Sequence, residues 1–146
     1  MDIHQGHALK KFNYLCKELD DVYHKIALKS GLSDSAFFIL YAVVETGDGC
    51  LQKDIAECYS LSRQTINSSV KSLTEKGYIT LLPGKGRDKH IQLTLAGRQL
   101  VKDRILPVIK MENAAFDEMA SEDKQALLRL TEEYIRLLQE KVMQIK

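Results

Sequence analysis

The stretch that decides the fold runs from Gln52 to Gly97 and reads QKDIAECYSLSRQTINSSVKSLTEKGYITLLPGKGRDKHIQLTLAG. Apolar residues from Leu51 to Tyr59 recur at helical spacing and predict a short helix. The turn Ser60-Leu61-Ser62 follows it, and Ser62 is placed to cap a second helix over residues 63–76. The stretch therefore starts with two helices joined by a tight turn.

Two strand patterns follow the second helix, which Gly77 ends. They cover Tyr78 to Leu82 and Lys89 to Thr94, and the loop between them, Pro83 to Asp88, contains two glycines and is basic. Apolar and polar side chains alternate along the second pattern, as in a half-buried strand. The order helix, turn, helix, hairpin predicts a winged helix-turn-helix, a shape that binds double-stranded DNA.

The second helix has two different faces. At 100° per residue, Ile66, Val70 and Leu73 form an apolar stripe that faces the core. The opposite face carries amide and hydroxyl groups and little charge, which suits hydrogen bonding to base edges better than solvation alone. The residues predicted to contact bases are Gln64, Asn67, Ser68 and Lys71.

Contacts to the DNA backbone are predicted from cations and small polar groups around this helix. Ser62, Arg63 and Thr65 lie at its start, where phosphate is the expected partner. On the wing, Lys85 and Lys89 are expected at phosphates and Arg87 in a minor groove, where a narrow A·T-rich groove concentrates negative potential. An ordinary solvated surface is the alternative interpretation of the base-contacting face of the helix and of the wing tip.

The distribution of charge favours a nucleic-acid partner although the net charge is only +1. Residues 61–98 contain seven cationic and two anionic residues, so this segment carries +5 and the rest of the chain −4. A basic centre within an acidic frame can dock on phosphates in one orientation.

The segments on either side read as helices. Before the central stretch, apolar spacing predicts a helix from His7 to about Lys29 and a buried helix over about 34–46 that Ser33 caps. After it, the spacing predicts a helical run from Leu95 to Met119, which Pro107 interrupts near Leu106. A last helix is predicted over about 122–145, with its start at Ser121. The predicted fold class is mainly α with a small β wing. With 146 residues and no long linker, we expect a single domain over 1–146.

Three motifs of this chain resemble the MarR family of bacterial transcription regulators. They are Leu61-Ser62-Arg63-Gln64-Thr65-Ile66, Leu73-x-x-x-Gly77-Tyr78-Ile79 and Arg87-x-x-x-Ile91-x-Leu93-Thr94-x-x-Gly97. The third is similar to the family's wing signature, in which an Asp usually precedes the Arg by two residues. Lys85 occupies that position here, and Asp88 is nearby but out of register, so we expect a wing that is more mobile or more cationic than is usual.

The resemblance implies a homodimer with dimerisation helices over 1–30 and 100–146 around a winged helix-turn-helix region over 34–97. It implies a repressor that a small aromatic or phenolic effector releases from a pseudo-palindromic operator. Half-sites one helical turn apart need a spacer of about 34 Å, which paired long helices provide. The residues that would line the effector pocket are Tyr23, His24, Phe37 and Tyr41; core packing is the other interpretation of these aromatic residues.

Other functions remain open at this stage. Cys16 lies on the first helix, where some MarR-like proteins sense peroxide, so a redox-responsive regulator is one alternative. A winged-helix module that binds protein is another, although the polar second helix and basic wing oppose it. No convergent catalytic set, cofactor-binding motif or metal-ligand cluster is apparent, so we expect no enzyme, no cofactor and no metal. The N-terminal sequence lacks a secretory pattern and three cysteines are an odd number, which predicts a cytoplasmic protein with reduced thiols.

Overall fold

The structure, a computed structural model, describes residues 4–145. The first three residues and Lys146, which the predicted domain bounds include, lie outside the described residues. One compact unit extends to Val108 and a second begins at Ile109. Along the chain the elements are α1 (His7–Lys29), α2 (Asp34–Thr46), β1 (Cys50–Leu51), α3 (Gln52–Cys58), α4 (Arg63–Glu75), β2 (Ile79–Pro83), β3 (Lys89–Leu93), α5 (Leu95–Leu100), a π-helical turn (Val101–Ile105), α6 (Leu106–Asp117) and α7 (Ser121–Val142).

The two leading helices have the predicted bounds because their ends are set by local signals. Ser33 Oγ accepts the backbone N–H of Ala36 and so caps α2. After α1 the chain turns through Gly31, whose φ of 70° is a left-handed conformation that glycine adopts without strain. The apolar side of α2 forms the centre of the core, where Phe37, Ile39 and Leu40 have no exposed surface.

The helix-turn-helix also follows the predicted pattern. Ser62 Oγ accepts the backbone N–H of Thr65 and starts α4. The apolar stripe of α4 is buried, with Ile66, Val70 and Leu73 each at most 3% exposed. Ser69 is buried beside this stripe, a position that apolar periodicity does not reveal, and its hydroxyl is hydrogen-bonded to that of Ser35 on α2. This bond satisfies a polar group that would otherwise be costly to bury.

The wing is part of a three-stranded antiparallel sheet with the order β1-β3-β2. Strands β2 and β3 pair from Ile79 with Leu93 to Pro83 with Lys89, within one residue of the predicted bounds. Strand β1 was not predicted. Its two residues, Cys50 and Leu51, pair with Ile91 and His90, so its strand conformation comes from a partner about 40 residues away. No local pattern of two residues can reveal such a strand.

Gly97 allows α5 to start directly against the strand hairpin. A Cβ at this position would lie 1.9 Å from the backbone oxygen of Tyr78, closer than any real contact. Thr94 caps α5 by accepting the N–H of Gly97, and its hydroxyl donates to the carbonyl of Gly77. The Leu93-Thr94-x-x-Gly97 motif is therefore a joint between the wing and the helix that follows it.

Two helix ends differ in detail from the sequence-based expectation. The interruption ahead of Pro107 is a π-helical turn, in which the N–H of Leu106 bonds to the carbonyl of Val101, and the helical path continues into α6. Proline has no N–H to donate, so the hydrogen-bond pattern shifts at this point. The cap expected at Ser121 is wrong by one residue: Ala120 is the N-cap of α7, without a side-chain cap bond, and Ser121 is the first helical residue.

Helix α7 buries none of its 22 residues within the described chain. Its large apolar side chains are more than a third exposed: Leu127, Leu128, Leu130, Tyr134, Ile135, Leu137, Leu138 and Val142. Helix α1 has a similar exposed set, namely Leu9, Phe12, Tyr14, Leu15, Leu19, Val22 and Leu28. No single helix within residues 4–145 is long and apolar enough to cross a membrane; α1 and α2 meet that test only together, across a bend of 89°.

Candidate nucleic-acid interface

The outward face of α4 carries the side chains predicted to contact bases. Gln64, Asn67, Ser68 and Lys71 are all exposed, on the side of the helix away from the buried stripe. Lys71 lies 3.8 Å from Glu75 on the next turn, and both side chains are largely exposed, so this pair constrains Lys71 little. The face therefore presents amides, a hydroxyl and one mobile cation to the surroundings.

At the start of α4, two of the predicted phosphate ligands already have a structural role. Ser62 Oγ caps the helix and donates its hydrogen to Thr65 Oγ1 at 2.8 Å. Arg63 is exposed beside them. The positive end of the helix dipole suits an anion at this point. Ser62 and Thr65 thus shape the helix N-terminus, and Arg63 supplies a side-chain charge there.

Gln52 is a site residue that the sequence analysis missed. Its side-chain N–H donates to Asn67 Oδ1, which links the start of α3 to the exposed face of α4. The contact spans 15 residues and both side chains are common surface types, so no sequence signal announces it. The bond from Gln52 orients the Asn67 amide, and the NH₂ group of Asn67 is still available as a donor.

The wing turn is compact and its cations project from it. The N–H of Gly84 bonds to the carbonyl of Asp88 at 2.8 Å, and the N–H of Asp88 bonds to the carbonyl of Lys85 at 3.1 Å. Lys85, Arg87 and Lys89 are exposed. Their side chains have no hydrogen bond or ion pair within the described part of the chain, so their charges are available to an anionic partner.

Asp88 pairs with α3 and not with Arg87. Lys53 Nζ donates to Asp88 Oδ2 at 2.9 Å, and the same hydrogen bond and charge raise the pKa of Lys53 above its usual value. Lys53 was not among the predicted site residues. Among the described residues Arg87 thus has no carboxylate partner, as expected from the presence of Lys85 where the family usually has Asp. Asp88 instead links the wing to α3 through Lys53.

A cleft of about 550 Å³ runs between α3, α4 and the wing. The residues that line it include Lys53, Arg63, Asn67, Arg87 and Lys89. One cleft therefore brings together side chains predicted for base contact, phosphate contact and the wing. Cationic residues outnumber anionic ones among those that line the cleft.

The residues predicted for an effector pocket have different environments. Phe37 is fully buried, with ring contacts to Phe38 at 5.7 Å and Tyr41 at 5.8 Å, so it is a core residue and presents no surface to a ligand. Tyr23 and Tyr41 are partly exposed at the edge of this aromatic cluster. The exposed His24 ring bonds to the Asp34 carboxylate at 2.8 Å. Three of the four residues thus remain accessible.

All three cysteines are free thiols, as expected. Cys16 and Cys58 are exposed, whereas burial raises the pKa of the half-buried Cys50. Cys50 and Cys58 both border a second cleft of about 400 Å³ next to Tyr59. Burial and the hydrogen bond from its hydroxyl to Glu45 raise the pKa of Tyr59. Among the described residues, no three His, Cys, Asp or Glu side chains are grouped so that they could hold a metal ion.

A comparison with protein families matches one internal segment of the chain. Residues 30–88 match the family model for the MarR family. No curated protein matches the chain in sequence.

Solved structures extend the likeness to nearly the whole chain. The MarR family regulator NMB1585 from Neisseria meningitidis has a TM-score of 0.84 at 20% identity, with 97% of this chain and 100% of that chain covered. MepR of S. aureus, solved as a DNA complex, gives 0.68 at 20% identity over 92% and 98%. NadR in complex with 4-hydroxyphenylacetate gives 0.69 at 17% identity over 92% and 96%. At these identities the likeness is one of fold. Residues 30–88 thus match the MarR family model, and the chain has the fold of MarR family regulators.

Proposed function

We propose that this protein is a transcription regulator that binds double-stranded DNA at specific sequences. The observation that carries the proposal is a cleft in which Asn67, on the polar face of α4, lies together with two wing cations, Arg87 and Lys89, that have no ion pair among the described residues. Gln64, Asn67, Ser68 and Lys71 would contact base edges, and Arg63 and the start of α4 would contact phosphate. Arg87 would enter a minor groove, with Lys85 and Lys89 at the flanking phosphates. MepR, a protein of similar fold, was solved as a DNA complex, which supports DNA binding by this fold.

We propose further that the active form is a homodimer. The apolar side chains exposed on α1 and α7 are too numerous for helices that face only water, and a second copy of the chain would cover them. Pairing also supports DNA binding, because two recognition helices about 34 Å apart read successive major grooves of a pseudo-palindromic site. In this form the protein would act as a repressor that covers its operator.

Release by a small aromatic effector is the regulatory part of the proposal. NadR, a protein of similar fold, was solved with 4-hydroxyphenylacetate, a phenolic acid. In this chain Tyr23, His24 and Tyr41 are the accessible members of the predicted pocket, and the His24 ring is already bonded to Asp34. A thermal-shift screen of phenolic acids, followed by operator-release assays, tests this part separately from DNA binding.

Selection of bound sequences from random duplex DNA tests the DNA-binding proposal. We expect enrichment of a pseudo-palindromic motif with half-sites about one helical turn apart. Affinity for the selected site should fall steeply between about 50 and 200 mM salt, since cations that neutralise phosphates release counterions. Random sequence after selection, or binding that is indifferent to salt, would refute the proposal and favour a module that binds protein.

The redox alternative rests on Cys16, which is exposed on α1. It predicts that mild peroxide weakens operator binding and that Cys16→Ser abolishes this response. Cys58→Ser is the matched control, because Cys58 is also an exposed free thiol. An identical response in wild type and Cys16→Ser would exclude Cys16 as a sensor.

A further inference from the structure

The wing turn contains one carboxylate among its cations. Asp88 lies between Arg87 and Lys89 in sequence, on a surface proposed to face DNA. By charge alone an anion there repels phosphate and weakens binding. Its side chain is nevertheless not directed freely to solvent, because Oδ2 accepts a hydrogen bond from Lys53 Nζ, 35 residues earlier on α3.

The backbone is held by its surroundings at both ends of this contact, and the Lys53 side chain is 57% exposed. The backbone of Asp88 is fixed by its two hydrogen bonds across the wing turn, and its side chain is only 31% exposed. Lys53 is in the first turn of α3, which the buried Ile55 anchors in the core. A bond between two anchored elements restricts their relative position, whereas a bond between two mobile side chains does not.

We propose that the Lys53–Asp88 ion pair positions the wing for DNA binding, so that Lys53 and Asp88 act through Arg87. The inference rests on the proposed DNA-binding function. The pair neutralises the only wing carboxylate and holds the hairpin against α3. Arg87, the residue before Asp88, is then presented from an ordered backbone, which lowers the conformational entropy lost on insertion into a groove.

The direction in which Asp88→Ala changes the affinity for the operator distinguishes a positioning role from simple charge repulsion. If Asp88 acts only as a repelling charge, Asp88→Ala strengthens operator binding. If Asp88 positions the wing, Asp88→Ala weakens binding by roughly two- to fivefold, the range expected for a partly exposed ion pair. Asp54→Ala is the matched control, since Asp54 is an exposed acid on α3 that has no ion pair within the described residues.

Coupling to Arg87 tests whether the pair acts through that residue. The loss of affinity caused by Arg87→Ala should be smaller in the Asp88→Ala and Lys53→Ala backgrounds than in wild type, and unchanged in the Asp54→Ala background. The charge-reversed double variant Lys53→Glu with Asp88→Lys keeps the net charge and should recover the full Arg87 effect. If the double variant does not recover it, or if Lys53→Ala and Asp88→Ala contribute independently of Arg87, the positioning role is overturned and Lys53 is a direct phosphate ligand.

A measurement without DNA keeps this inference separate from the function on which it rests. Backbone NMR relaxation of Gly86 and Arg87 should show increased mobility in Lys53→Ala and in Asp88→Ala, and wild-type order in the charge-reversed variant. Unchanged relaxation in the single variants overturns the inference even if the protein binds DNA as proposed. Failure of the unaltered protein to bind DNA in the selection experiment refutes the proposed function, whatever the relaxation result.

Discussion

Arg87 and Asn67 line one cleft, and the proposed function gives them two different kinds of DNA contact. Arg87 is an exposed cation on the wing, whereas Asn67 is an amide on α4 whose oxygen accepts a bond from Gln52. A minor-groove cation contributes to all sites, while an amide at a base edge distinguishes one base pair from another. Removal of each side chain should therefore change DNA binding in a different way.

We expect Arg87→Ala to weaken binding to all duplexes and to lower the slope of log affinity against log salt by about one. Asn67→Ala should cost about 1–3 kcal/mol at one operator position and leave the salt slope nearly unchanged. Gel-shift titrations at two salt concentrations, on the selected site and its single-base variants, measure both effects. Equal losses for both variants on every sequence would contradict this division.

The thiols of Cys50 and Cys58 should differ in reactivity. Burial raises the pKa of Cys50 above its usual value. Near neutral pH the fraction of Cys50 in the reactive thiolate form is therefore smaller than that of an ordinary cysteine. Cys58 is exposed. With a limiting amount of alkylating reagent, peptide mass spectrometry should find Cys58 modified first, and the lag of Cys50 should shrink as the pH rises. Modification of Cys50 first would contradict the burial argument.

At the scale of elements, helix starts could be predicted from the sequence where a side chain and its target are neighbours. Ser33 and Ser62 both cap the helices assigned to them, because the bond closes within three residues. The same rule failed at Ser121, where the chain already turns at Ala120. Serine is a preferred cap residue and alanine is not, so residue type favoured Ser121 and gave no sign of a start at Ala120.

Two substitutions test this difference between Ser62 and Ser121. Ser62→Ala removes a cap bond and should lower the free energy of unfolding by about 1 kcal/mol. Ser121→Ala changes the first helical residue without removing a cap, so its effect should stay within about 0.5 kcal/mol. Urea unfolding followed by circular dichroism measures both. A larger loss for Ser121→Ala would show that this serine caps α7 after all.

Gly97 is the most constrained position at the junction of the wing and α5. Gly97→Ala places a methyl group against the Tyr78 carbonyl, and overpacking of this kind costs about 1–3 kcal/mol or more. Gly6→Ala is the control, since a Cβ there meets nothing within 4 Å. Equal urea midpoints for the two variants would mean that the junction relaxes without cost.

The parts of the site that sequence reasoning missed depend on contacts between distant segments. Strand β1, the Gln52–Asn67 bond and the Lys53–Asp88 pair each join segments 15 to 41 residues apart. Hydrophobic periodicity and capping rules use only residues that are close in sequence. They therefore predicted α4 and the wing but not the residues that connect the two. Residue type also misled at Phe37, whose place at the centre of the aromatic cluster is a property of packing.

At the scale of the whole molecule, the exposed apolar faces of the helices make the assembly testable. The double variant Leu130→Glu with Leu137→Glu puts charge on the apolar side of α7, where burial against a second copy would be costly. Sedimentation equilibrium should give twice the chain mass of 16.6 kDa for wild type and a monomer for the variant. Glu132→Ala, an exposed polar position on the same helix, should stay dimeric. A wild-type monomer at micromolar concentration would refute the proposed homodimer.

The order of the sheet bears on how copies of the chain can meet. Of its outer strands, β1 has only two residues and leads directly into α3, while β2 ends on Pro83, which has no N–H to offer. Short edges and a terminal proline are devices that prevent a strand of another molecule from adding to a sheet. The wing is thus protected against edge-to-edge aggregation, and the proposed homodimer would be held by the side chains of the helices.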